Sequence, residues 1–496
     1  MIERSSGVLL HLTSLPSPYG VGTMGRAAYA FADFLRDAGQ RYWQMLPLGP
    51  TGYGDSPYQS FSSFAGNPNL IDLDLLVEDG LLRPESLDGL AGDDPRQVDY
   101  GRLHRTRMPV LDQAYRAGWA RDREAVAAFE RENPWLADYA LFMAAKRHFG
   151  MKCWVDWPDE LLRRHDPGAV AWYQNLLRDD VRFYTYLQFL FFRQWDALRE
   201  HIHARGLRII GDLPFYVALD SADVWAEPKF FQLDAEGKPR EVAGVPPDDF
   251  TADGQLWGNP LYDFDRMAAD GYGWWIRRVG GAARLFDVVR IDHFRGFESY
   301  WAVPAGEPTA RNGCWRKGPG MALVGALTAW FDELDFIAED LGYQTEAVER
   351  LVAESGLPGM KVLEFAFDAR EPSDHLPHAY PPNTVCYVGT HDNETAAQWF
   401  AGLGPDDRAH AVRYLGLNED EGVVNGLIRG GAASAATLFV VQMQDWLGLG
   451  ADCRMNAPGT AAGNWRFRLL PGEADKKLAL RMRELTARYG RAAEQG

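Results

Sequence analysis

Eight short apolar runs, separated by helical patterns, constrain the fold of this chain more than any other feature. They are GVLLHL (7–12), YWQMLPL (42–48), LRIIGDLPF (207–215), DVVRIDHF (287–294), DFIAEDLG (335–342), KVLEFAF (361–367), NTVCYVGTH (383–391) and ATLFVVQMQD (436–445). Each is short and bounded by polar or turn-forming residues, as buried strands are. Helical periodicity fills the gaps: 27–39 places Phe31, Phe34 and Leu35 on one face and stops at Gly39, and 345–355 joins the fifth run to the sixth. Strands that alternate with helices build a parallel sheet, and eight of them favour a closed (β/α)8 TIM barrel over an open sheet.

The spacing is uneven. The second and third runs start at residues 42 and 207, too far apart for one loop, so 75–205 reads as a mainly helical insertion. It includes helical patterns at 138–149 and 179–205. The latter carries Phe183, Leu187, Leu190, Phe191 and Leu198 at helical spacing, a stripe expected to pack against a neighbouring helix. Further insertions are expected at 216–280, with an active-site loop at 244–262, and at 297–325. All three stand at C-terminal strand ends, and the whole of 1–496 reads as a single catalytic domain. The last twenty residues read as a closing helix with a frayed tail.

The formal charge of −18 opposes nucleic acid and anionic membrane surfaces as partners, whereas a neutral sugar meets no such field. Seventeen tryptophans suit either a large core or surfaces that stack on flat ligand faces. Cys153, Cys314, Cys386 and Cys453 are widely spaced with no C-x-x-C pair, so they read as reduced, buried thiols. No stretch approaches the length of a membrane span, and the first apolar run, broken by His11, is too short for a signal peptide. A cytoplasmic protein is expected.

Three runs end in an acid: Asp292, Glu339 and Asp392. In a barrel such positions converge on the catalytic mouth. Side chains alternate along a strand, so Val288, Arg290 and Asp292 share a face, and Arg290 is expected to keep Asp292 ionised. Glu339 follows Phe336, Ile337 and Ala338, whose apolar surroundings are expected to hold a proton on it. One charged and one protonated carboxyl divide labour as in a retaining glycosidase. A rival reading is an enolase-type barrel whose strand-end acids bind Mg²⁺; Arg290 ranks it second, because a guanidinium and a metal cation repel. Asp212, which ends LRIIGD, and His391 add polar groups suited to sugar hydroxyls.

With these residues in view, the chain resembles the amylomaltases, the 4-α-glucanotransferase (disproportionating enzyme) family related to the α-amylases. The resemblance rests on SSGVLLHLTSLPSPYGVGTMG (5–25), QMLPLGPTGYGDSPYQSFSSFAGNPNLIDL (44–73), GDLPFYVALDSADVW (211–225) and GVPPDDFTADGQLWGNPLYDF (244–264), then the three acidic strings, NAPGT and NWRFR. It implies Asp292 as nucleophile, Glu339 as acid/base and Asp392 as the residue that holds the distorted sugar. It also implies that Asp212, Arg290, His293 and His391 line the donor subsite, with Tyr58 and Trp257 on bound glucan. Strand alternation would turn His293 away from Asp292. Where α-amylases proper carry a histidine in the first of these regions, this chain has GDLPF. The resemblance implies a maltooligosaccharide or α-1,4-glucan donor and a glucose or maltodextrin acceptor, with no cofactor and no metal. The same acids would serve an α-glucan hydrolase; transfer is favoured by the resemblance, and 244–262, with Pro246, Pro247, Phe250 and Trp257, is the expected lid.

Overall fold

The computed structural model describes residues 2–92, 94–247, 251–460 and 462–493. Phe250 of the expected lid falls outside them. Strands are numbered in chain order: β1 (Ser5–Leu9), β2 (Tyr42–Gln44), β3 (Arg208–Leu213), β4 (Glu241–Val245), β5 (Gln255–Pro260), β6 (Val288–Ile291), β7 (Ser299–Pro304), β8 (Cys314–Lys317), β9 (Asp335–Ala338), β10 (Gly359–Val362), β11 (Thr384–Tyr387) and β12 (Leu438–Gln442).

Each of the eight apolar runs supplies one strand of a parallel sheet, ordered β10-β11-β12-β1-β2-β3-β6-β9. The strands are shorter than the runs, because the chain turns toward the mouth before the apolar residues end. The two edge strands meet. Ala338 N–H donates to the Pro358 carbonyl at 2.9 Å, and Met360 N–H donates to Asp340 Oδ1 at 2.7 Å. The sheet thus closes into the expected (β/α)8 barrel, with a carboxylate in place of a full ladder at the β9–β10 seam.

Helices cover the outside. Arg26–Asp37 buries Phe31, Phe34 and Leu35, and Glu346–Ser355 is capped by Thr345, whose hydroxyl accepts from Val348 N–H. Between β2 and β3 the helices Tyr100–Gly118, Arg123–Glu132, Trp135–His148, Pro167–Leu176 and Arg178–Ala204 pack together. The stripe Phe183, Leu187, Leu190, Phe191 and Leu198 is buried. At the far end of Arg178–Ala204, Arg199 and His203 bind the Asp287 carboxylate, which also accepts Ile209 N–H at 2.8 Å. One acid therefore keys the longest helix to β3 and to the entrance of β6.

The insertions around 216–280 and 297–325 are joined. Each provides two strands of one antiparallel sheet, ordered β5-β4-β7-β8. Segment 244–262 is accordingly a β4–β5 hairpin more than a loop, closed by Gly254 in the left-handed region at φ 65°. Cys314 stands exposed on the edge strand β8, against the expectation of buried thiols, and Cys153 is half-buried. The C-terminal helix, Lys476–Arg488, leads to Arg491, whose buried guanidinium donates to the carbonyls of Ser5, Ala432, Ser434 and Ala436.

Replacing Asp340 with Ala leaves Met360 N–H without its acceptor at the seam. The expected cost is about 1–3 kcal/mol, read as a lower thermal midpoint, with Asp340→Asn losing less; an unchanged midpoint in the alanine variant would show that the seam does not need the carboxylate.

Candidate active site

The parallel register sets Asp212 of β3 directly beside Arg290 of β6. Both side chains are buried, and Arg290 Nη1 lies 2.7 Å from each Asp212 oxygen. The same nitrogen reaches Asp292 Oδ1 at 3.1 Å. A buried guanidinium is tolerable only where such partners surround it. Sharing alters the expected electrostatics. Burial pushes Asp292 well above the ordinary carboxyl range; Arg290 opposes this, while Asp212, Glu339 and Asp392 add to it. Arg290 is thus already engaged by Asp212 and does not alone keep Asp292 ionised.

Glu339 follows the last residue of β9 and faces Asp292 across the mouth. Its Oε2 accepts His293 N–H at 2.7 Å and its Oε1 accepts Leu341 N–H at 2.8 Å. Burial raises its pKa, opposed by Arg290 and by these two amides. The His293 amide is available because β6 ends at Ile291 and His293 adopts a left-handed conformation, φ 48° and ψ 46°. Strand alternation therefore stops governing this residue. Its ring packs edge-on to Trp257 of β5, with centroids 4.9 Å apart, and burial drives its pKa down to about 3, so it is neutral.

On the other wall, Tyr58 stacks on His391, with centroids 5.4 Å apart and planes 10° from parallel. The Tyr58 hydroxyl donates to Asp212 Oδ2 at 2.8 Å and lies 2.7 Å from His391 Nε2, which is 3.4 Å from Asp392 Oδ2. With its own proton given to Asp212, the hydroxyl accepts from a protonated Nε2. Asp392 is the open member of the group, its side chain 43% exposed. These contacts join the nine residues singled out in the sequence into two chains: Trp257 to His293 to Glu339, and Asp292 through Arg290, Asp212, Tyr58 and His391 to Asp392.

Four other residues belong to the neighbourhood. Asn456 Nδ2 donates to Asp392 Oδ1 at 2.6 Å. His11, just beyond β1, is buried, and its pKa is pushed down to about 3 by burial and then by His391. Behind the Asp392 turn, Asp445 Oδ1 accepts Ala396 N–H at 2.8 Å. Asp445 Oδ2 and Glu364 Oε1 are buried without a hydrogen-bond partner among the described residues. Asn456 stands in the NAPGT string and His11 breaks the first apolar run; neither position carries a periodic signal of its role.

A closed parallel barrel whose mouth gathers carboxylates, a guanidinium and stacking aromatics defines a glycoside-processing enzyme. A model of the 4-alpha-glucanotransferase family matches residues 10–473, so the chain belongs to that family. It is 50% identical over 496 residues to the 4-alpha-glucanotransferase of Thermus thermophilus, covering 98% of each chain. It is 42% identical over 502 residues to the chloroplastic/amyloplastic 4-alpha-glucanotransferase of Solanum tuberosum, covering 99% of this chain and 87% of that one. The amylomaltase from Streptococcus agalactiae, solved in complex with acarbose, superposes with a TM-score of 0.97 at 41% identity, covering 99% and 100% of the two chains. The activity is that of a 4-alpha-glucanotransferase, a glycosyltransferase acting on α-1,4-glucans.

The buried acids behind Asp392 give a pH signature. Burial raises Asp445 to about 7, above its unfolded value, so folding favours the protonated acid. Its full stability is present below about pH 4 and is lost as pH rises toward 7. Asp445→Asn keeps an acceptor for Ala396 N–H and abolishes the titration. Thermal melts are expected to show a larger gain over the parent at pH 8 than at pH 5; an equal gain at both, or a loss at pH 8, would contradict this.

Proposed function

We propose that the enzyme cleaves an α-1,4-glucan by retaining double displacement, with Asp292 as nucleophile, Glu339 as acid/base and Asp392 as the residue that holds the reacting sugar. The observation that carries this reading is the placement of two buried acids at the barrel mouth, Asp292 against Arg290 and Glu339 on the His293 and Leu341 amides. Burial raises both of them. Arg290 touches Asp292 directly and favours its charged, nucleophilic form, and the retaining mechanism draws its proton from Glu339.

An Asp292 oxygen attacks the anomeric carbon as its bond to the leaving chain breaks, and the leaving oxygen takes the Glu339 proton. Glu339 then accepts the proton of an incoming 4-hydroxyl, whose oxygen displaces Asp292 and restores the original configuration. Donors are maltooligosaccharides or longer α-1,4-glucans; acceptors are glucose or another maltodextrin. Asp212, Arg290, Tyr58 and His391 would line the donor subsite, with His293 and Trp257 at the other wall. An Mg²⁺ mechanism fits poorly, because Arg290 already supplies the positive charge at the centre of the acids.

Transfer must outcompete hydrolysis. Water at about 55 M exceeds millimolar acceptor on the order of 10⁴-fold, equivalent to roughly 5.5 kcal/mol. The β4–β5 hairpin, with Pro246 and Pro247 near its tip and Trp257 against His293, supports a role in shielding the intermediate. Free cysteines are in keeping with a cytoplasmic place in starch, glycogen or maltodextrin metabolism.

Incubation with maltotriose is expected to yield glucose and a ladder of longer maltodextrins; glucose and maltose alone would support the hydrolase reading instead. Asp292→Asn and Glu339→Gln are each expected to lower turnover on the order of 10³-fold or more with the thermal midpoint retained. Near-normal turnover in either folded variant would remove that residue from its role.

A further inference from the structure

We infer that Asn456 is a positioning residue for Asp392, and that residues 454–457 and 464–465 form a strap that fixes the orientation of this carboxylate. The inference rests on the role proposed above for Asp392.

Asp392 stands in a turn five residues past β11, has a half-exposed side chain, and has no strand to hold it. A carboxylate so placed rotates about its last side-chain bond unless something occupies one oxygen. Asn456 does so, its amide at 2.6 Å from Oδ1. Oδ2 is left on the open side, 3.4 Å from His391 Nε2, free to accept from sugar hydroxyls.

Asn456 is itself held. It is nine-tenths buried, and its carbonyl accepts from Arg454 Nε at 2.7 Å. Arg454 Nη2 donates to the Asp392 carbonyl at 2.9 Å, so one guanidinium ties the backbones of both residues together. Nη1 of the same group lies 3.6 Å from Glu394. The strap is closed on itself, with Trp465 N–H donating to the Met455 carbonyl at 2.7 Å and Ala457 N–H to Asn464 Oδ1 at 3.0 Å. Trp465 then packs against both Tyr58 and His391, at centroid distances of 5.8 and 6.1 Å. The strap therefore touches Asp392 and the adjoining Tyr58–His391 stack at once. The charged or titratable groups that face Asp392 are His391, Arg454 and, through space, Asp292 and Tyr58.

Three variants test the inference with maltotriose as substrate. Asn456→Ala frees Oδ1, and kcat is expected to fall about tenfold or more, with KM within about threefold and inhibition by acarbose weakened in parallel with kcat. Asn456→Asp substitutes a group that donates only when protonated. Its kcat relative to the parent is expected to fall as pH rises from 5 to 8, whereas the ratio for Asn456→Ala stays level. A purely structural role would lower the thermal midpoint of both variants without this pH trend. The inference is overturned if folded Asn456→Ala keeps kcat within about twofold of the parent, or if the Asn456→Asp ratio does not change with pH. Asp392→Asn is the control. If it retains near-normal turnover, the role of Asp392 itself fails; if it is inactive while Asn456→Ala is unaffected, only the positioning role fails.

Discussion

The barrel mouth is organised around one buried cation. Arg290 sits on β6 with its guanidinium against Asp212 of β3, and neither side chain meets solvent. Removing one member of such a pair leaves an uncompensated charge in a medium that solvates it poorly, so the two act as a unit. From that unit the rest of the site can be traced outward. Asp292 takes a third position on Arg290, Tyr58 takes a second position on Asp212, and His391 and Asp392 follow from Tyr58. The polar network is continuous, and its strongest member lies at the deepest point.

The surroundings divide into a scaffold and what is laid over it. The parallel strands deliver Asp212, Arg290, Asp292 and Glu339 with little freedom, because each lies within or directly after a buried strand. The remaining groups arrive on segments that the barrel does not require. Tyr58 comes from the turn region after β2, Trp257 from the antiparallel sheet, and Asn456 from beyond β12. This partition sets four of the polar groups on rigid elements and the others on segments laid over them.

Much of this was legible in the residues. Short buried strands have a strong signature, and acids such as Asp292 and Glu339 at their ends are unusual enough to be noticed. The pairing of Arg290 with Asp212 was not legible, because it depends on the register between strands that lie far apart in the chain. It changed the expectation for Asp292, whose neighbouring arginine proved to be shared. Alternation has no hold on His293, because β6 ends at Ile291 and the residue takes a left-handed conformation. The antiparallel sheet escaped notice because its strands are short and interrupted by Gly244 and Gly258, and because β4 and β7 lie on either side of β6 in the chain. Asn456 offers no pattern at all; only the folded strap brings it to Asp392.

The β1–β12 ladder has a consequence for how the molecule is made. Ser5 is paired with Leu438 and Leu9 with Gln442, while Arg491 ties the carbonyls beside both strands. A chain emerging from the ribosome presents β1 long before β12, with every other strand of the barrel between them. Once β2 is made it can match β1 on one side, but the other edge of β1 stays open until β12 exists. An open edge invites pairing with other chains. The nascent protein must therefore guard β1 while everything up to β12 is being made, and the closed circle is the first state in which that exposure ends.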